Sequence, residues 1–164
     1  MMKFKTIPRK LRVFDFDDTL VKTDAKIKIL NKNLALSTHE FTKYKQEDTD
    51  EFDFSDFRNN KLINPQPTEF LKTAFLNIVG GEADIMILTA RPETEIIKTF
   101  LSKYVDPERL IIIGSAGTPE LKKQEIKKVL DDYNDIKFFD DSVANINAVK
   151  SLNSPKISTQ IVRK

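Results

Sequence analysis

Val13-Phe14-Asp15-Phe16-Asp17-Asp18-Thr19-Leu20 sets three carboxylates within four positions, directly behind an apolar run that reads as a buried strand. Burying charge is costly unless it is paired or holds a metal. Like charges this close raise one another's pKa, so the cluster requires a cation. If the strand extends through them, Asp15 and Asp17 share one face, because side chains alternate with period two. Paired acids at a strand end, followed by Thr19 and Leu20, point to a metal-assisted reaction centre.

Outward from this stretch, apolar runs of strand length recur at Leu11–Phe16, Ile85–Leu88, Leu110–Ile113 and Ile136–Phe139. Short continuous runs suit a parallel sheet covered on both faces. Amphipathic helices alternate with them. Pro67 is expected to open one, with Phe70, Leu71, Phe75 and Val79 inward, and Pro92 the next, with Ile96, Ile97, Phe100 and Leu101. Thr118 caps a third with Pro119 in first position, and Ser142 caps a fourth carrying Val143, Ile146, Val149 and Leu152. Lys156–Val162 adds an edge strand. The alternation predicts an α/β fold, a doubly wound and mainly parallel Rossmann-like sheet.

Residues 21–64 interrupt this pattern. Ala25, Ile27 and Ile29 alternate with polar residues, Asn31-Lys32-Asn33 reads as a turn, and Leu34 and Leu36 follow, which is a hairpin signal. Ser37 and Thr38 start a short helix through Tyr44, and Phe52, Phe54 and Phe57 stud an acidic stretch. The interval is too short for a good core of its own. It reads as a small cap or flap within a single domain spanning residues 1–164. The phenylalanines read as packing anchors, with a base-stacking platform as the alternative.

Composition is that of an ordinary soluble chain long enough to bury about two-thirds of its unfolded surface. No apolar run approaches the ~20 residues of a membrane span, and Met1-Met2-Lys3-Phe4-Lys5 lacks the apolar segment of a signal peptide. Cysteine is absent, which excludes disulfides, a disulfide-linked partner and thiolate chemistry. A cytoplasmic location and no membrane partner are the expectations. The net charge of +2 does not diagnose a nucleic-acid binder, although residues 1–12 carry five bases and no acid, and residues 46–57 six acids and no base. Such runs are ordinarily solvated surface.

In open α/β sheets, ligands bind outside the carboxyl ends of the strands. There the sequence offers Asp15, Asp17, Asp18 and Thr19; then Thr89, Ala90 and Arg91; then Asp140, Asp141, Ser142 and Asn145. A lysine is singled out by helical geometry. On a wheel of about 100° per residue, Lys122 falls within the apolar face of Ile126, Val129 and Leu130, whereas Lys123, Lys127 and Lys128 fall outside it. Lys122 needs an anionic partner, and the acidic rim supplies one; Lys123 is the fallback. A hard, oxygen-rich site suits Mg²⁺. An aspartate can attack phosphorus while a lysine neutralises the transferring phosphoryl group and a second carboxyl group moves protons. Read one at a time these residues have bland alternatives: caps for the acids, a strand-end threonine, a snorkelling lysine, a helix start at Arg91. His39, the sole histidine, reads as a surface residue.

Taken together, the residues resemble the haloacid dehalogenase (HAD) superfamily of phosphohydrolases. Asp15-Phe16-Asp17-Asp18-Thr19-Leu20 looks like its first motif, Ile87-Leu88-Thr89 its second, Lys122 its third, and Asp140-Asp141 with Asn145 its fourth, over residues 11–152. The resemblance implies that Asp15 is the nucleophile and Asp17 the general acid/base. Thr89, Lys122 and Arg91 would meet substrate phosphate. Mg²⁺ would sit on Asp15, the Asp17 carbonyl and Asp141, with Asp140 and Asn145 behind them. Asp140 stands where many members have glycine, and Asn145 replaces a common aspartate. Asp17 favours phosphate-ester hydrolysis over dehalogenation. Thr89-Ala90-Arg91 and Asp140-Asp141 are also similar to polynucleotide phosphatases of the superfamily. The expected substrate is therefore a nucleotide or a nucleic-acid end, with a small-metabolite phosphatase (a sugar phosphate, for example) or a non-catalytic binding module as alternatives.

Overall fold

The computed structural model describes residues 9–58 and 61–163, so the basic residues Lys3 and Lys5 lie outside the described residues. In chain order the strands are β1 (Lys10–Asp15), β2 (Val21–Lys22), β3 (Ile27–Ile29), β4 (Leu34–Leu36), β5 (Phe52–Asp53), β6 (Gln66–Pro67), β7 (Asp84–Leu88), β8 (Leu110–Ile113), β9 (Asp135–Asp140) and β10 (Ile157–Ile161). The helices are α1 (Thr38–Lys43), α2 (Leu76–Val79), α3 (Glu95–Leu101), α4 (Pro119–Lys128) and α5 (Val143–Lys150). Five strands form one parallel sheet in the order β10-β9-β1-β7-β8. The chain leaves β1 to one side through β7 and β8, then returns to the other side with β9. This is the expected doubly wound α/β sheet, with β1 at its centre.

The period of two assigns the faces. Leu11 and Val13 of β1, Met86 and Leu88 of β7, and Ile136 and Phe138 of β9 pack with Ile126 of α4 and with Ile146 and Val149 of α5. Phe14, Ile85, Ile87 and Phe139 join the opposite core, with Leu71, Phe75 and the α3 residues Ile97 and Leu101. Phe14 lies opposite Phe139 in the strand register, stacks on it at 4.8 Å between centroids, and meets Phe75 edge-on at 4.9 Å. Strands apolar on both sides need helices on both faces, and here they have them.

Two helix starts differ from the sequence expectation. Pro67 pairs with Val21 as part of β6, and the hydroxyl of Thr68 accepts the Leu71 N–H at 3.1 Å, so threonine rather than proline begins that helical segment. Its first part, Leu71–Phe75, is π-helical. Pro92 stands three residues before α3, because Ser115 N and Ala116 N bond Arg91 O and Thr89 O and tie the preceding chain to the 114–117 loop. Gly117 lies against Ala90 so closely that a Cβ at this position would collide with it.

The insertion is a three-stranded antiparallel sheet, β4-β3-β5, followed by a 3-10 turn over Ser55–Phe57. The expected hairpin is present, with Ile27 opposite Leu36 and Asn33 in the left-handed region at φ 53°. Ser37 and Glu40 form a capping box that starts α1. Phe41 meets Phe52 and Phe54 edge-on at 5.6 and 5.9 Å, so these rings anchor the insertion. The acidic run is absorbed locally. Asp50 accepts from the Tyr44 hydroxyl and pairs with Lys32, Asp53 caps Ser55 N, and Asp56 accepts from Lys26 N. Among the described residues no helix is long and apolar enough to cross a membrane.

Phe14→Ala should lower unfolding free energy by about 3–5 kcal/mol, read by denaturant titration, because it opens a cavity at the sheet centre. At the opposite end of the sheet, the Tyr133 hydroxyl donates to Asp84 Oδ2 at 2.7 Å. Burial, then this hydrogen bond, pushes the phenol up to about 12. An unfolded tyrosine titrates near ~10. The folded chain thus holds the extra proton between the two values, and stability falls as pH rises through that window. Tyr133→Phe should flatten the alkaline limb of a Tm-against-pH curve.

Candidate active and metal site

The carboxyl ends of β1, β7 and β9 are neighbours in the sheet, and residues from all three rims line a cleft of about 510 Å³. Asp15 continues the Leu11–Val13 face of β1, and Asp140 the Ile136–Phe138 face of β9, so both acids point towards α4. Thr118 caps α4, with Pro119 in its first turn, which places Lys122 one turn before the buried Ile126. Lys122 is 2% exposed. Its Nζ donates to Asp15 Oδ1 at 2.6 Å and to Asp140 Oδ2 at 3.0 Å. Burial by itself would lower the ammonium's pKa, but the charges of Asp15 and Asp140 outweigh it and hold the group above its ordinary value. Lys123 is only half-buried.

Asp140 is committed on both oxygens. Besides Lys122, Oδ2 accepts from Asn145 Nδ2 at 3.0 Å, and Oδ1 accepts from Ser142 N at 2.8 Å. Asp140, expected behind the metal-holding acids, thus anchors the lysine, the amide and the start of α5 together. The Thr19 hydroxyl lies 3.1 Å from Asp15 Oδ2 and 3.4 Å from Asp141 Oδ1. Carboxylate oxygens of Asp15, Asp140 and Asp141 come within 4.8 Å of one another. Burial, then the charge of Asp15, pushes Asp141 up to about 8, and the same causes raise Asp140. A carboxylate pushed so far is one that gains from a cation beside it. The all-oxygen donor set fits a hard divalent ion such as Mg²⁺. Asp15, Asp140 and Asp141 together form the carboxylate group that could hold one, with Asp15 and Asp141 also lining the cleft.

Asp17 does not share that cluster. β1 ends at Asp15, and the N–H groups of Leu20 and Val21 bond Phe16 O at 2.9 and 3.2 Å, which turns the chain. The carboxylate of Asp17 is gripped by Arg91, with Nε donating to Oδ2 at 2.9 Å and Nη2 to Oδ1 at 2.8 Å. Arg91 is fully buried, its guanidinium lies 4.8 Å from the Phe57 ring centroid, and Nη1 has no hydrogen-bond partner among the described residues. Arg91 thus stands behind Asp17, and neither it nor Thr89 is among the residues lining the cleft. The strand stops between Asp15 and Asp17, so the condition for their sharing a strand face is not met, although both line the cleft. Thr89 is buried at the end of β7, and its hydroxyl accepts the Arg91 N–H at 3.1 Å. Asp18 adopts φ 67°, and its carboxylate receives the Thr38 hydroxyl of α1. His39 is exposed on α1.

Thr19, Thr38 and Phe57 carry site contacts that sequence reasoning did not assign. Thr19 had a local signal, four residues after Asp15. Phe57 and Thr38 had none, since only the folded insertion brings them to the rim. The insertion also gives the cleft Ile27, Phe41, Tyr44 and Phe54, whereas none of the acids of residues 46–57 lines it.

No protein-family model matches the chain, and no curated protein matches it. Among solved structures it is similar to the Legionella pneumophila effector Ceg4, with TM-score 0.52 and 14% sequence identity over 98% of this chain and 89% of that one. At that identity the likeness concerns the fold alone.

Mg²⁺ should raise the thermal midpoint of the chain, by about 2.7 kcal/mol of stability at a hundredfold excess over its Kd. Asp141→Asn should remove most of that shift, and Asp53→Asn, in the insertion, should keep it. Scanning calorimetry with and without a chelator measures both.

Proposed function

We propose that this chain is a phosphomonoesterase of the haloacid dehalogenase type, working through an aspartyl-phosphate on Asp15. The observation that carries the reading is the pairing of Asp15 with buried Lys122, at 2.6 Å, on the rim of a cleft that Asp17 also lines. Asp15 attacks phosphorus as the bond to the ester oxygen breaks, and Asp17 passes to that oxygen a proton taken from the phosphate monoester monoanion. Water then attacks the phosphorus of the aspartyl-phosphate and returns a proton to Asp17, releasing inorganic phosphate and the free Asp15 carboxylate. Lys122 lines the cleft and faces the developing negative charge, and the Thr89 hydroxyl, buried behind the rim, accepts the Arg91 N–H and holds that stretch of backbone in place. A divalent cation on Asp15 and Asp141 would neutralise charge on the transferring group.

The substrate reading is a nucleotide or a nucleic-acid end. A cleft of about 510 Å³ lies in the range that holds a small organic ligand. Its insertion wall of Ile27, Phe41, Phe54 and Phe57 suits a planar base better than a polyhydroxylated sugar. Among the described lining residues the cations are Lys122 and Arg58, too few to track a long phosphate backbone, so a mononucleotide or a terminus is favoured. Mg²⁺-dependent hydrolysis of an aryl phosphate should be lost in Asp15→Asn, falling by at least about 10⁴-fold. Wild type inactive on every phosphate monoester tried would favour a non-catalytic binding module. Nucleoside monophosphates and phosphorylated oligonucleotide ends should be hydrolysed faster than sugar phosphates; equal rates would favour the metabolite reading.

A further inference from the structure

We infer that Arg91 is a positioning residue that fixes the Asp17 carboxylate for proton transfer to the leaving oxygen, an inference that rests on the phosphatase reading. The guanidinium engages Asp17 through two parallel N–H···O bonds of 2.9 and 2.8 Å. A fork of this kind sets the plane of the carboxylate as well as its place. Proton transfer needs that control, because the acid must come within hydrogen-bond reach of one particular oxygen. A misplacement of roughly 1 Å can cost about 10²-fold in rate.

Three features separate this role from its alternatives. Arg91 is fully buried while the Asp17 side chain stays 16% exposed, so the arginine lies behind the acid and the acid faces the cleft. A ligand for substrate phosphate would show its guanidinium in the cleft; Ala90 and Pro92 line it, and Arg91 between them does not. A purely structural arginine would satisfy its donors, yet Nη1 is buried without a partner among the described residues. Burying an arginine and leaving a donor orphaned is a cost with no return in packing hydrogen bonds. The ring of Phe57 closes the guanidinium off, so the insertion completes the support of Asp17. Each of the two carboxylates thus meets a buried cation: Lys122, shared with Asp140, for Asp15 and Arg91 for Asp17.

The test compares Arg91→Ala with wild type on two aryl phosphates that differ in leaving-group basicity, phenyl phosphate and dinitrophenyl phosphate. The value of kcat/KM reports the steps up to release of the phenol. Phenyl phosphate needs the proton from Asp17; dinitrophenolate leaves without it. Arg91→Ala should lose about 10²–10³-fold on phenyl phosphate and less than about tenfold on dinitrophenyl phosphate. Added guanidinium ion should restore part of the phenyl phosphate rate by entering the cavity. Arg91→Lys, which keeps the charge and loses the fork, is measured in the same way and stands in if Arg91→Ala does not fold. Equal losses on the two substrates overturn the inference, because both phosphate binding and a general structural role act on them alike. If wild type hydrolyses neither ester, the phosphatase reading falls and this inference falls with it. If wild type is active and the losses are equal, only the inference falls.

Discussion

The structure turns on one buried ammonium. Lys122 joins the ends of two adjacent strands, β1 and β9, to the first turn of α4 through its bonds to Asp15 and Asp140. Without it, two carboxylates would face each other at the edge of the apolar core that α4 and α5 make with the sheet. Removing one partner from such a buried group strands the others, a larger penalty than the ion pair itself is worth. The cation therefore licenses the acidic rim, and the rim in turn holds the start of α5, through Asp140 and its bonds to Ser142 N and Asn145.

A second cation divides the chemistry. Arg91 takes Asp17 out of the cluster that Asp15, Asp140 and Asp141 form, so acids that are near neighbours in sequence occupy different electrostatic surroundings. This follows from β1 ending at Asp15 and from the backbone turn onto Phe16 O. The insertion participates at two points, Thr38 on Asp18 and Phe57 over Arg91, and it supplies much of the apolar wall of the cleft. It is thus a part of the rim as well as an addition to the sheet.

Much of this was legible before folding. Short continuous apolar runs at Leu11–Phe16 and Ile136–Phe139 located the strands, and the caps at Thr118, Ser142 and Ser37 located the helices they begin. Lys122 was identified by angle alone, because a charged residue on an apolar helix face must find a partner. The misreadings have local causes. Pro67 and Pro92 are compatible with helix starts, but pairing with β2 holds Pro67 extended and the 114–117 loop ties down the chain just before Pro92. The π-helical Leu71–Phe75 has no distinctive period to betray it.

By itself, the sequence determined the kind of groups and the edge on which they gather: acids, a threonine and a lysine at the carboxyl ends of parallel strands. Periodicity and capping are near-neighbour properties, so they survive in the chain as pattern. Only the tertiary structure decided which cation holds which acid. Arg91 meets Asp17 across 74 positions of chain, and Lys122 meets Asp15 across 107. Pairings at such separations are set by strand order and by the turn after Asp15, and neither is written in any local period. The Val13–Leu20 stretch announced a charge in need of a cation, and the fold provided two, one for each task.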